Sequence, residues 1–315
     1  MVIDMQILIS RLCVFVTLIG IGFLTFRAGL MTAELHDKLN TIIMRVLLPA
    51  LLISTMAEGA DGENGRLLLQ MTIGGGAVFC ILLAAGLLSA IVMRAAGDRR
   101  KTQIALMSFG SLGFFGIPLV NSLIGSRGTL ALAMYSVLDN ILVWTIGLYL
   151  STGVAREVKH GLSLRDKAKK IIQPATVSVG IGLILMVLHV PSDNVIMDSI
   201  GQIGGCCSPL AMICIGCNLA RSDLKNIYKG WPCISVVLVK MLLVPIFIFY
   251  ILGYFPVDST ARICLTIIAG LPSSSMFAIM CKENGNSEVD YAARTAIITV
   301  FCSLITFPAV SMLIR

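Results

Sequence analysis

The stretch from Ser108 to Gly125, SFGSLGFFGIPLVNSLIG, sets the tightest limit on what this chain can fold into. It is apolar enough to lie in a membrane, yet Gly110, Gly113, Gly116 and Pro118 stand where a plain spanning helix would carry Leu and Val. Proline removes a backbone donor and clashes with the turn before it, and in lipid the freed carbonyls must find partners in protein, water or a ligand. A broken helix is therefore expected. A second stretch, Thr266 to Lys282 (TIIAGLPSSSMFAIMCK), repeats the pattern with Gly270 and Pro272 ahead of three serines. Two interrupted apolar segments in corresponding halves of a chain are the sequence pointer to a carrier's binding site.

Composition puts these stretches in lipid. Hydrophobic residues make up 57% of the 315 and charged residues 13%, so most of the chain cannot be the surface of a soluble domain. At about 20 apolar residues per helix, the chain reads as an all-α, multi-pass protein of the cell membrane with ten spans. Their edges fall near 7–28, 38–57, 67–93, 102–125, 129–155, 171–190, 199–220, 230–254, 260–281 and 289–314. The first run, Ile7 to Phe26, is of full spanning length and has neither a basic leader nor a small-residue cleavage site. It is expected to remain as the first helix. The net charge of +7 could suggest nucleic acid, but its location in the breaks between spans makes it a topology signal instead. Arg94, Arg99, Arg100 and Lys101 fill one break, and Arg156, Lys159, Arg165 and Lys167 another. Arg11, Arg66, Arg127, Arg262 and Arg315 fall on the opposite side, with the acidic cluster Glu58, Asp61 and Glu63. By the positive-inside rule both termini face outward.

The ten cysteines do not read as a disulfide or metal framework. Most, such as Cys13, Cys80, Cys264 and Cys302, sit in apolar runs, where a thiol behaves as a small hydrophobe. Cys214 and Cys217 form one C-x-x-C within an apolar helix, with no second pair.

The longest basic break divides the chain into a first five-span half (1–155), a cytoplasmic linker (156–170) and a second half (171–315). Pro49 in LLPALL corresponds to Pro209 in CSPLAM at an offset of 160, and Pro118 in GIPL to Pro272 in GLPS at an offset of 154. Five is odd, so the second half must enter the membrane from the opposite face. The expectation is an inverted repeat whose broken helices, four and nine, cross near the midplane. The segment GIPLV with Gly125 seven residues after its proline, and the segment LP followed ten residues later by Lys282-Glu283, resemble the two crossover motifs of the auxin efflux carrier family, including its bacterial members. LLPALL and SPLAMICIG read as that family as well, and the resemblance covers essentially the whole chain. It implies a ten-helix carrier with a scaffold part and a mobile transport part, moving an organic anion by an elevator-like alternation.

The residues that could carry the chemistry follow from the breaks. Half-helices starting after Pro118 and Pro272 would aim their N-terminal ends at the centre, and such ends suit a carboxylate. Ser273 and Ser274 add hydroxyls there, with Ser111 and Gly116 on the other strand of the crossing. Ser275 reads as a serine bonded back to its own helix. The resembled family usually carries an asparagine seven residues before the first crossover proline, and Ser111 departs from that. Asp139 and Asn140 are the most unexpected polar pair within a span, and an intramembrane carboxylate is by default a binding or proton site. Arg45 and Lys240 read as side chains snorkelling to the cytoplasmic headgroups, and Arg294 as a helix-end residue. His36, His160 and His189 lie at loops or span edges and read as solvated. Asn121 lines the path or packs against a neighbour.

No nucleotide-binding loop and no cluster of histidine with acid, or serine with base, is present, so neither ATP hydrolysis nor intramembrane catalysis is expected. The reading is a secondary carrier of small organic anions such as dicarboxylates, coupled to a proton or sodium gradient, without a cofactor and without a nucleic-acid partner. A homodimer is compatible with it. The alternatives are a passive channel or facilitator and an auxin-like efflux carrier of aromatic acids. Only 7% of the chain is aromatic, with Phe114, Phe115, Trp144 and Phe277 nearest the breaks, and this favours an aliphatic acid.

Overall fold

The computed structural model describes residues 5–58, 65–154, 174–188, 194–221 and 231–313. Among them each apolar stretch expected to span is helical. The first half holds α1 (Met5–Arg27), α2 (Ala33–Ile42), α3 (Leu48–Glu58), α4 (Gly65–Val92), α5 (Gly97–Ser108), α6 (Ile117–Ile124), α7 (Ser126–Leu142) and α8 (Leu148–Ser151). The second holds α9 (Pro174–Val187), α10 (Val195–Gly205), α11 (Cys207–Arg221), α12 (Trp231–Leu238), α13 (Val244–Leu252), α14 (Ser259–Gly270), α15 (Met276–Glu283) and α16 (Val289–Leu313). Five continuous helical runs are long and apolar enough to cross a membrane: Ala33–Ala57, Gly65–Val92, Ser126–Ser151, Val195–Arg221 and Pro232–Leu252. Shorter apolar helices, Leu112–Ile124 and Ser259–Gly270 among them, lie where the sequence carries its breaks. The central loop 156–170, Asp61, Glu63, His160 and His189 lie outside the described residues.

Prolines shape the helices in two different ways. Of the four π turns among the described residues, three, Ile43–Leu47, Leu112–Gly116 and Val239–Leu243, end two residues ahead of a proline (Pro49, Pro118 and Pro245), while the fourth, Val143–Gly147, has none after it. A proline inside a helix offers no N–H to the carbonyl four residues back, and its ring presses on that carbonyl. The chain answers with one wide turn. Leu48 N–H reaches Ile43 O, Ile117 N–H reaches Leu112 O, and Val244 N–H reaches Val239 O, each five residues back.

The half-helix expected to start after Pro118 therefore starts earlier. The helix runs through that proline, and the chain leaves helical geometry upstream, at Phe109 (φ −104, ψ 125) and Ser111 (φ −80, ψ 71). The second break falls where expected. Leu271 takes extended geometry (φ −58, ψ 139) because the Pro272 ring disfavours the helical region for the residue before it.

The helices pack in two groups, each drawn from both halves of the chain. In one, α1 lies along α11, and α3 is flanked by α9 and α10; in the other, α4 is surrounded by α5, α7 and α14, with α16 against α12 and α15. Where α1 crosses α11, a Cβ on Gly216 would stand 2.0 Å from Ile19 O, so the two backbones touch. The buried Cys217 Sγ donates to Gly22 O at 3.2 Å in the same seam. The C-x-x-C pair thus serves helix packing.

Loops that the sequence assigns to one face meet at one end of the bundle. The Asp98 carboxylate accepts from Val154 N at 2.7 Å, Ser287 N at 2.9 Å and Ser287 Oγ at 2.9 Å, and Arg99 pairs with Glu288 beside it. Desolvation would raise the Asp98 carboxyl, but these hydrogen bonds outweigh it and hold it below the usual carboxylate range. A lowered folded value means the latch is present at neutral pH and is lost only as pH falls through that value. At the opposite end Arg66 donates to Pro256 O at 3.2 Å and Arg127 pairs with Asp258 at 3.1 Å, around a cavity of about 330 Å³.

His36 corrects the sequence reading. It is 1% exposed, not solvated. Its Nε2–H donates to Cys214 O at 3.2 Å, while Arg221, itself paired with Asp37 at 2.8 Å, donates to Nδ1 at 3.0 Å. The polar start of α2 is satisfied by α11, which is why an imidazole can be buried there.

Candidate binding site

The two breaks meet. Gly110 and Ser273 form an isolated antiparallel bridge, with Ser111 N–H donating to Pro272 O at 2.8 Å and Ser274 N–H to Phe109 O at 3.3 Å. Two segments that gave up their helical hydrogen bonds thus satisfy each other, as buried backbone in lipid must. The approach is close because residue 110 has no side chain: a Cβ there would lie 2.7 Å from Leu271 Cβ. Phe109 and Phe277 stack across the crossing with ring centroids 5.1 Å apart, and Phe115 stacks on Phe307 at 5.5 Å. These rings pack between helices.

The expected site residues take distinct positions around this crossing. Ser273 is 1% exposed and fully committed: its hydroxyl donates to Leu106 O at 2.7 Å and its amide to Thr299 Oγ1 at 3.0 Å. It locks the breaks together. Ser111 and Ser274 are half-buried, and their hydroxyls have no hydrogen-bond partner among the described residues. Gly116 and Pro118 are buried on the helix beyond the first break, Gly116 against Leu271, and Pro272 contributes its carbonyl to the bridge.

Asp139 is half-buried on α7, and its carboxylate accepts no hydrogen bond from the described residues. The neighbouring Asn140 instead donates to Thr176 Oγ1 on α9 at 2.5 Å, across the seam between the two packing groups. Asn121 bridges Thr129 and Ser208, at 3.0 and 3.4 Å. Ser275 is exposed at the start of α15 and has no side-chain cap bond, and Arg294 stands half-buried in the early turns of α16.

The residue that sequence reasoning misplaced is Lys240. Far from snorkelling, it is 0% exposed, and its ammonium donates to Leu106 O at 2.9 Å and Phe109 O at 2.8 Å. These are the carbonyls that α5 leaves free where it stops. A charge taken out of water requires such partners, and the end of a broken helix supplies them. Asp139 and Lys240 lie within electrostatic reach of each other. The signal available in the sequence was depth, since Lys240 stands near the centre of the span 230–254, too far from either edge to snorkel easily.

Broken apolar helices that meet inside a bundle are the backbone arrangement on which carriers with discontinuous helices are built. The chain matches the membrane transport protein family over residues 7–311 and belongs to it, in agreement with the resemblance to the auxin efflux carriers. It is 22% identical over 307 residues to a protein of Methanothermobacter thermautotrophicus named "Uncharacterized transporter", covering 94% of this chain and 95% of that one. It is 23% identical over 311 residues to a protein of Rhizobium meliloti named "Putative malonate transporter", covering 96% and 94%.

Proposed function

We propose that this protein is a secondary carrier that moves small organic anions, dicarboxylates of the malonate class, across the cell membrane through the crossing of its two broken helices. The observation that carries the reading is the Gly110–Ser273 pairing, which sets the free hydroxyls of Ser111 and Ser274 beside the ends of two interrupted helices. Amides at helix starts favour a carboxylate without requiring an arginine. The name of the Rhizobium meliloti relative points to the same ligand class, and the committed packing of the nearby aromatic rings argues against an indole acid.

Ten crossings arranged as two inverted five-span halves, with both termini extracytoplasmic, fit the way the loops gather at the two ends of the bundle. The two packing groups suit an elevator-like alternation, with α1, α3, α9, α10 and α11 as scaffold and the crossing carried by the other group. Ser274→Cys tests this. Malonate is expected to slow alkylation of the introduced thiol by a maleimide, relative to the parent chain, and the thiol is expected to react from either side of the membrane as the carrier turns over. Reaction from one side only, unchanged by malonate, would contradict the reading.

A further inference from the structure

Lys240 does something the anion-carrier reading does not require. Its side chain leaves the π turn Val239–Leu243, a widening that the chain owes to Pro245, and ends on the two carbonyls at the close of α5. Each carbonyl already has one partner from the other break: Leu106 O accepts from Ser273 Oγ, and Phe109 O from Ser274 N–H. The ammonium takes what remains. With α5 ended at Ser108, the amide that would have served Leu106 O in a continued helix belongs to Gly110, in the extended break. The result is a small cage of carbonyl oxygen at the negative end of a helix dipole, which is where carriers with discontinuous helices coordinate sodium.

The ammonium itself cannot be the substrate's contact. At 0% exposure no ligand oxygen reaches it without dismantling the crossing. Its charge is spent on the backbone and on the field it shares with Asp139. We propose that Lys240 is a tethered cation that fills the carbonyl cage a free sodium ion would otherwise occupy, so that this carrier is not sodium-coupled at the crossing. The proposal rests on the carrier reading and narrows it, leaving Asp139 as the group through which a proton gradient would act.

The experiment needs no substrate. Wild type and Lys240→Ala are purified in detergent, and thermal unfolding is followed in sodium chloride, potassium chloride, choline chloride and propylammonium chloride at equal ionic strength. Propylammonium replaces the atoms that the alanine variant lacks, from Cγ to Nζ. Wild type is expected to melt alike in sodium and choline. Lys240→Ala is expected to melt lower in choline and to regain roughly 5–10 °C with saturating sodium or propylammonium. If the variant cannot be recovered in choline, its recovery in sodium alone supports the proposal in the same way. Recovery in neither cation, a variant indifferent to both, or a wild type stabilised by sodium overturns it. Because the readout is stability, loss of this proposal leaves anion transport standing, and loss of anion transport leaves the cage testable.

Discussion

Gly110→Val is expected to bring anion uptake to background while the protein still inserts in the membrane. The smallest side chain placed there meets Leu271 Cβ at 2.7 Å, an atom that moves only with its own backbone. Relief therefore requires parting the two breaks. That breaks the hydrogen bonds from Ser111 N–H to Pro272 O and from Ser274 N–H to Phe109 O, and it unseats Lys240 and Ser273 from Leu106 O, the carbonyl they share. Overpacking of a tight site costs about 1–3 kcal/mol, and each backbone group orphaned in the bundle adds about 1–3 kcal/mol. The penalty falls on the crossing, whereas the α1–α11 seam lies elsewhere. A paired variant separates a clash from a general defect: Gly110→Ala with Leu271→Gly is expected to recover uptake that Gly110→Ala with Leu271→Ala does not, since only the first removes the Cβ. Uptake by Gly110→Val at the wild-type rate would show that the crossing does not matter for transport.

Asp139→Asn is expected to abolish net uptake driven by a proton gradient and to spare exchange of labelled for unlabelled malonate. Asp139 is half-buried within a span, has no hydrogen-bond donor among the described residues, and lies in the field of a lysine that is committed elsewhere. A carboxylate held that way can take up and release a proton at small structural cost. An amide cannot. Exchange needs only rebinding and reorientation, so it survives a side chain fixed in the neutral form. Equal loss of exchange and net uptake would make Asp139 part of the anion site rather than the coupling path.

The sequence carried the helical, membrane-spanning character of the chain and the presence of two breaks because these signals are physical necessities. Two proline- and glycine-rich gaps in apolar runs showed that two helices would be broken and that the breaks would need partners for their backbone; that Gly110 and Ser273 supply them to each other was visible only in the structure. The exact position of the first break was not legible. Pro118 is the visible residue, but a proline can be absorbed by a π turn, as at Pro49 and Pro245, and the chain breaks upstream at Phe109 and Ser111. Ser273 showed the limit of composition: a serine at a break reads as a ligand contact, and this one is consumed by Leu106 O and Thr299. Lys240 and His36 were misread for a shared reason. Whether a charged or titratable side chain near a helix end or within a span reaches solvent depends on what stands opposite. Here α5 and α11, distant in sequence, present carbonyls to them.

The measurement that bears most directly on the carrier reading is uptake of radiolabelled malonate, malate and indole acetate into proteoliposomes of the purified protein, with proton and sodium gradients imposed separately. The account predicts saturable uptake of a dicarboxylate that collapses when the proton gradient is removed and is indifferent to the sodium gradient, with indole acetate excluded. Uptake that fails to saturate and follows no gradient would contradict it and make the crossing a channel.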